Sequence, residues 1–136
     1  EIEIPKEIRE ELSQKAGKGT KVIASMHFKE GIPSQSEITQ DVLDAVDSGD
    51  VVKLCYNITD RKEALRIFGA ALDLASNDAN IALMGLGPGG DWTRIHAPIL
   101  GQHIVFATTE SGWHLAQQGR INASDLRTAW KVLEYC

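Results

Sequence analysis

Cysteine is nearly absent: the 136 residues hold two, Cys55 inside an apolar run and Cys136 at the last position. Thiols so placed form neither a disulfide framework nor a metal-ligand spacing, so a reducing compartment, the cytoplasm, is the expected location. No apolar run approaches the ~20 residues a membrane helix needs, and no basic-then-apolar leader opens the chain. Basic runs are missing too. Fourteen Lys plus Arg against nineteen Asp plus Glu leave a formal charge of −5, with nowhere to neutralise several phosphates in a row. Neither nucleic acid nor membrane is therefore an expected partner. The first residue is not Met, and Glu1-Ile2-Glu3-Ile4-Pro5 alternates like a strand already under way. The opening reads as cut from something longer.

What is there is ordinary. Hydrophobic residues make up 43% and charged residues 24%, the composition of a soluble globular domain, and the length fits a single domain over residues 1–136. Disorder and rod-like architectures are excluded.

Apolar runs alternate with helical patterns. Ile8, Leu12 and Ala16 share a face in a helix over 7–16, with Gly17 at its C-cap. A β-branched run over 20–27 ends in a loop at Gly31 and Pro33. Ser34 and Glu37 then have capping-box spacing ahead of Ile38, Val42, Leu43 and Val46. The second run, 50–56, precedes a helix opened by Asp60 and Glu63, with Leu65, Phe68, Leu72 and Ala75 on one face. The third, 80–84, ends in Gly85-Leu86-Gly87-Pro88-Gly89-Gly90 and a short helix over 91–100. The fourth, 103–107, leads through a loop to a helix over 123–135 with Leu126, Trp130 and Leu133 inward. Four such alternations predict an α/β fold of right-handed βαβ units on a parallel sheet, either doubly wound or part of a (βα)8 barrel. In both, chemistry collects at the C-terminal ends of the strands.

Three residues stand out there. Lys53 interrupts an apolar strand; it either snorkels or pairs with Asp50, or it is a desolvated amine able to form a Schiff base. His27 ends the preceding run, as a merely hydrogen-bonded imidazole or as a proton shuttle facing the same mouth as Lys53. Arg94, after the glycine segment, could clamp a carboxylate or phosphate through its planar fork. His96, His103 and His114 have no metal-ligand spacing and read as structural or surface residues. The glycine segment also matches G-x-G-x-x-G, with Glu110 placed for a ribose, which leaves a dinucleotide-binding reading open; Pro88 within the turn and Pro98 after it favour a permissive turn that aims Thr93 and Arg94.

Taken together these segments resemble the C-terminal half of a type I 3-dehydroquinate dehydratase. Ile23-Ala24-Ser25-Met26-His27 is similar to the family's strand ending in its catalytic histidine, and Gly49-Asp50-Val51-Val52-Lys53-Leu54 to the strand bearing its imine-forming lysine. Met84-Gly85-Leu86-Gly87-Pro88-Gly89-Gly90-Asp91-Trp92-Thr93-Arg94 resembles the segment whose arginine holds the substrate carboxylate, and Asp125-Leu126-Arg127 the start of the last helix. The family's S-A-P-G-Q loop is here Ala116-Gln117-Gln118-Gly119-Arg120, so a serine and a glutamine are replaced and Arg120 stands in as a donor.

The resemblance implies a (βα)8 TIM-barrel fold of which this chain covers about four C-terminal βα units. It also implies dehydration of 3-dehydroquinate to 3-dehydroshikimate in the shikimate pathway of aromatic amino acid biosynthesis, with His27 and Lys53 catalytic, Arg94 and Arg120 on the substrate and no cofactor or metal. The missing half-barrel would be replaced by a second copy or supplied as a separate N-terminal half. The alternatives are an inactive or regulatory half-barrel binding fragment and the dinucleotide-binding domain.

Overall fold

The structure, a computed structural model, describes residues 4–136. Of the alternation at 1–5, read as a strand, residues 1–3 lie outside the described residues, and Ile4 and Pro5 are not in a strand. Elements follow in the order α1 (Lys6–Lys15), β1 (Ile23–Phe28), α2 (Gln35–Ala45), β2 (Val51–Asn57), α3 (Ala64–Asp73), β3 (Ile81–Leu86), α4 (Gly90–Ile95), α5 (His114–Gln117) and α6 (Ala123–Val132). Among the described residues the strands form one parallel sheet in the order β1-β2-β3. No helix of the described residues is long and apolar enough to cross a membrane.

Capping chemistry starts the helices where expected. Ser34 and Glu37 close a reciprocal capping box on α2, and Asp60 and Glu63 close another on the short 3-10 turn Arg61–Glu63 that leads into α3. Each satisfies amide donors that a helix start leaves unpaired. The hydrogen bonds from Ser34 and from the Thr59 amide hold the Glu37 and Glu63 carboxyls below their ordinary value.

Side chains alternate across the sheet, so its two faces differ in character. One face, carrying Val52, Leu54, Tyr56, Ile81 and Leu83, packs on Ile38 and Val42 of α2 and on Ala64, Ile67, Ala70 and Ala71 of α3. Tyr56, fully buried, stacks on Phe28 with ring centroids 4.6 Å apart and donates to Asp41 Oδ2 at 3.0 Å. Burial raises both the Tyr56 hydroxyl and the Asp41 carboxyl above their ordinary values. The other face holds a smaller cluster of Val51, Cys55, Ala82 and Met84 with Ile104 against it, and the same face bears Ser25, His27 and Lys53.

Four details of the sequence reading are corrected. The run 103–107 is not a strand: an isolated parallel bridge to β3 is made by Gln102, just before the run, with Ile81, and the His103 amide donates to Ile81 O at 2.7 Å. The Leu83 amide, the next donor along that edge, is taken by the Gln102 side chain at 2.6 Å, and Phe106 O accepts from Arg94 Nε. Side chains thus occupy groups that a ladder would use. In α3 the core-facing set is Ala64, Ile67, Ala70 and Ala71, whereas Leu65 and Leu72 point outward. In α6 Leu126 is buried but Leu133 lies beyond the helix and is exposed. Ile8 and Leu12 of α1 are likewise exposed.

The face assignment in α3 is testable by urea denaturation. Ile67→Ala, at a site with no exposure, is expected to cost about 2–5 kcal/mol. Leu72→Ala, at 61% exposure, is expected to stay within about 0.5 kcal/mol. The opposite order would reverse the assignment.

Candidate active site

The parallel register sets Ser25 beside Lys53 and His27 beside Cys55. Residues two apart on a strand share a face, so these four side chains lie on the face away from α2 and α3. The Lys53 amine does not snorkel to solvent, nor does it pair with Asp50, which lies at the other end of the sheet accepting from the Val22 amide and Lys21. It instead lies 2.7 Å from His27 Nε2 and donates to Ser25 Oγ at 3.1 Å. Phe106 walls the amine on its remaining side, its ring centroid 5.5 Å away. Lys53 is half-buried while His27 is exposed. A nitrogen nucleophile thus stands in hydrogen-bond contact with a group able to move its proton.

Arg94 lies near the end of α4, which stops at Ile95 rather than reaching residue 100. The residue is 5% exposed. Nε donates to Phe106 O at 3.0 Å, and Nη1 donates to Gly85 O at 3.0 Å, to Gly90 O at 2.8 Å and to Gly119 O. Nη2 has Met84 Sδ at 3.8 Å. The expected clamp through the whole fork is thereby narrowed: four carbonyls occupy two of the three nitrogens, and Nη2 is the one turned to an apolar neighbour. Burial, with nearby Arg120 adding to it, pulls the guanidinium below its ordinary value, against the influence of Cys55 and Asp91.

The glycines explain how one side chain reaches so many carbonyls. A Cβ on Gly90 would lie 2.3 Å from Gly85 O, one on Gly119 2.6 Å from Gly87 O, and one on Gly87 2.3 Å from Ile58 O. The Gly87 amide donates to Gln118 O at 3.1 Å and the Gly90 amide to Gly87 O at 3.0 Å. Backbone packs directly on backbone here, and the Gly87 and Gly90 amides are spent within the protein. Glu110, the residue assigned to a ribose, pairs with Arg120 at 3.3 Å. Both features that suggested a dinucleotide are thus engaged within the protein.

Arg94 and Arg120 line one cleft of ≈ 370 Å³ with Phe106, Ala107, Thr108, Thr109 and Ile121. Arg120 Nη2 donates to Thr108 Oγ1 at 3.1 Å and Nη1 to Gln118 Oε1 at 3.2 Å. All four residues expected at the site therefore gather in one region, with Phe106 as the wall common to the Lys53 amine and the cleft. His96 instead bonds Tyr135 at 2.9 Å, a structural contact. Sequence reasoning missed Phe106, Ser25 and α5. Ser25 was detectable, since it precedes His27 by two residues in a strand; Phe106 was hidden at the end of a run that mimics a strand.

A family model for type I 3-dehydroquinase matches residues 1–135. The chain belongs to the type I 3-dehydroquinase family. Among curated relatives, a 3-dehydroquinate dehydratase of Haloquadratum walsbyi is 32% identical over 65% of this chain and 36% of its own. One of Haloarcula marismortui is 28% identical over 82% of this chain and 48% of its own. The type I 3-dehydroquinate dehydratase of Clostridium difficile superposes with a TM-score of 0.80 at 23% identity, covering 93% of this chain and 50% of that one. That of Geobacillus kaustophilus gives 0.77 at 20% identity. This type I 3-dehydroquinase chain thus covers part of a TIM-barrel fold and spans about half the length, or less, of these relatives.

Replacing Arg94 by Lys keeps the charge but removes the planar fork. One ammonium cannot serve Phe106, Gly85, Gly90 and Gly119 together, so Arg94→Lys should lose about 1–3 kcal/mol in denaturant unfolding. Unchanged stability would show that the carbonyl contacts do not hold the loop.

Proposed function

We propose that this chain carries the imine-forming part of a 3-dehydroquinate dehydratase site, a hydro-lyase that converts 3-dehydroquinate to 3-dehydroshikimate in the shikimate pathway of aromatic amino acid biosynthesis. The observation that supports it most is the 2.7 Å contact between the Lys53 amine and the His27 imidazole. Membership of the family adds to this.

In this reading the neutral Lys53 amine adds to the ring ketone, and loss of water gives an iminium. The cation draws electrons from the adjacent carbon, whose proton passes to His27. The resulting enamine expels the β-hydroxyl, which takes a proton from the imidazolium and leaves as water. Hydrolysis of the conjugated imine frees the amine, so the net change is the loss of one water. The iminium is itself the electron sink, and no cofactor or metal has a step. Arg94, through Nη2 in place of its long contact to Met84 Sδ, and Arg120 bind the substrate carboxylate and fix the ring against Phe106. His27 is exposed, and a second copy or the remainder of a barrel would cover it. The Clostridium difficile relative is described with a covalently modified comenic acid, which is in keeping with a reactive nucleophile in this fold.

Borohydride reduction in the presence of 3-dehydroshikimate tests the reading. The expected result is a mass increase equal to the reduced ligand, mapped to the peptide containing Lys53 and lost in Lys53→Ala. In His27→Ala the rate of adduct formation should fall by about 10²–10⁴. An adduct on another lysine, or none, would defeat the mechanism.

A further inference from the structure

The cleft beside the Lys53 amine has a charge pattern that the dehydration chemistry does not require. Its lining holds two guanidiniums, Arg94 and Arg120. Against the second lies a carboxylate: Glu110 Oε2 is 3.3 Å from Arg120 Nη1. The backbone on which Glu110 sits is pinned, because its amide donates to Thr108 Oγ1 at 3.1 Å and its carbonyl accepts from Asn122 Nδ2 at 2.8 Å. Thr108 also accepts from Arg120 Nη2 at 3.1 Å. One threonine thus fixes both partners of the ion pair at the rim of the cleft.

We propose that Glu110 is a specificity-determining residue: by offsetting Arg120 it leaves the two guanidiniums of the cleft with a single net positive charge between them, so that it selects a ring monocarboxylate over a ring dicarboxylate. The inference rests on the reading that Arg94 and Arg120 face the ligand's carboxylate. The pair is exposed, with 40% of the Arg120 side chain and 61% of that of Glu110 accessible. Exposed pairs contribute little to stability and exchange readily, so an incoming carboxylate can take the place of Glu110 on the guanidinium. A first ligand carboxylate then balances, together with Glu110, the two guanidiniums. A second one meets Glu110, held within reach by its anchored backbone, and is repelled.

The charge argument makes a quantitative distinction. Removing one negative charge acts in proportion to the ligand's charge. If Glu110→Gln tightens binding of a monoanion about threefold, it should tighten a dianion of the same ring by about the square of that, roughly tenfold. Both effects should shrink in ~1 M salt, where exposed charges are screened within about 3 Å.

The experiment titrates the chain with cyclohexanecarboxylate and with cis-cyclohexane-1,2-dicarboxylate, following the indole and amide resonances of the protein by NMR at low and high salt. Glutamine has nearly the same shape as glutamate, and the site is exposed, so the fold is expected to survive and circular dichroism checks it. The expected result is preference for the monocarboxylate in the unaltered chain, with that preference reduced or reversed in Glu110→Gln. Arg120→Gln should shift the preference the other way. Equal changes for the two ligands, no change in Glu110→Gln, or failure of the unaltered chain to take up either ligand would overturn the proposal. The borohydride adduct at Lys53 reports separately on the dehydratase reading, so its absence with the charge effect intact would remove the reaction and leave the selectivity.

Discussion

The register between β1 and β2 is the constraint from which the site follows. Ser25 lies opposite Lys53 and His27 opposite Cys55, and a parallel ladder keeps neighbouring side chains on the same face. A slip of one residue would send Lys53 into the face packed by α2 and α3, among Leu54, Tyr56 and Ile67, where an ammonium is costly to bury. That helix-covered face therefore fixes the register through its own packing. The amine is left on the opposite, thinner face, where an imidazole and a hydroxyl reach it. The core and the chemistry are two sides of one alternation.

A second device joins the end of β3 to the last loop. Arg94 gathers carbonyls from Gly85, Gly90, Phe106 and Gly119, and the glycines let these segments approach to backbone contact. Gly87 and Gly119 hold positive φ, +95° and +70°, so a side chain at either would meet strain as well as a clash. The segment that resembles a nucleotide cradle is thus a joint between loops. It brings Arg94 and Arg120 to the lining of one cleft, beside the ring that walls the lysine.

Much of this was legible in the chain. Capping boxes at Ser34 and Asp60 placed two helices, and a charged residue in an apolar strand with a histidine at the end of the strand before it marked the site. What was not legible depends on contacts between distant segments. The run 103–107 has the composition of a strand, but the Gln102 side chain and Arg94 take groups on its edge and beside it, which pattern alone does not reveal. In α3 the leucines drew attention to the wrong face, because close approach of the helix to the sheet and to α2 selects Ala64, Ala70 and Ala71 and leaves Leu65 and Leu72 outside. Glu110 was read as the partner of a ribose, since its pairing with Arg120 spans ten residues of irregular chain.

The central claim is that one face of the sheet assembles an amine, an imidazole and a guanidinium-lined cleft around a single ring-shaped ligand. A crystal structure of the borohydride-reduced adduct with 3-dehydroshikimate measures this most directly. The account predicts continuous density from Lys53 Nζ to a ring carbon, His27 against the neighbouring carbon, and the ligand carboxylate within hydrogen-bond reach of Arg94 Nη2 and Arg120. An adduct whose carboxylate turns away from both arginines, or whose ring lies beyond the reach of His27, would contradict it.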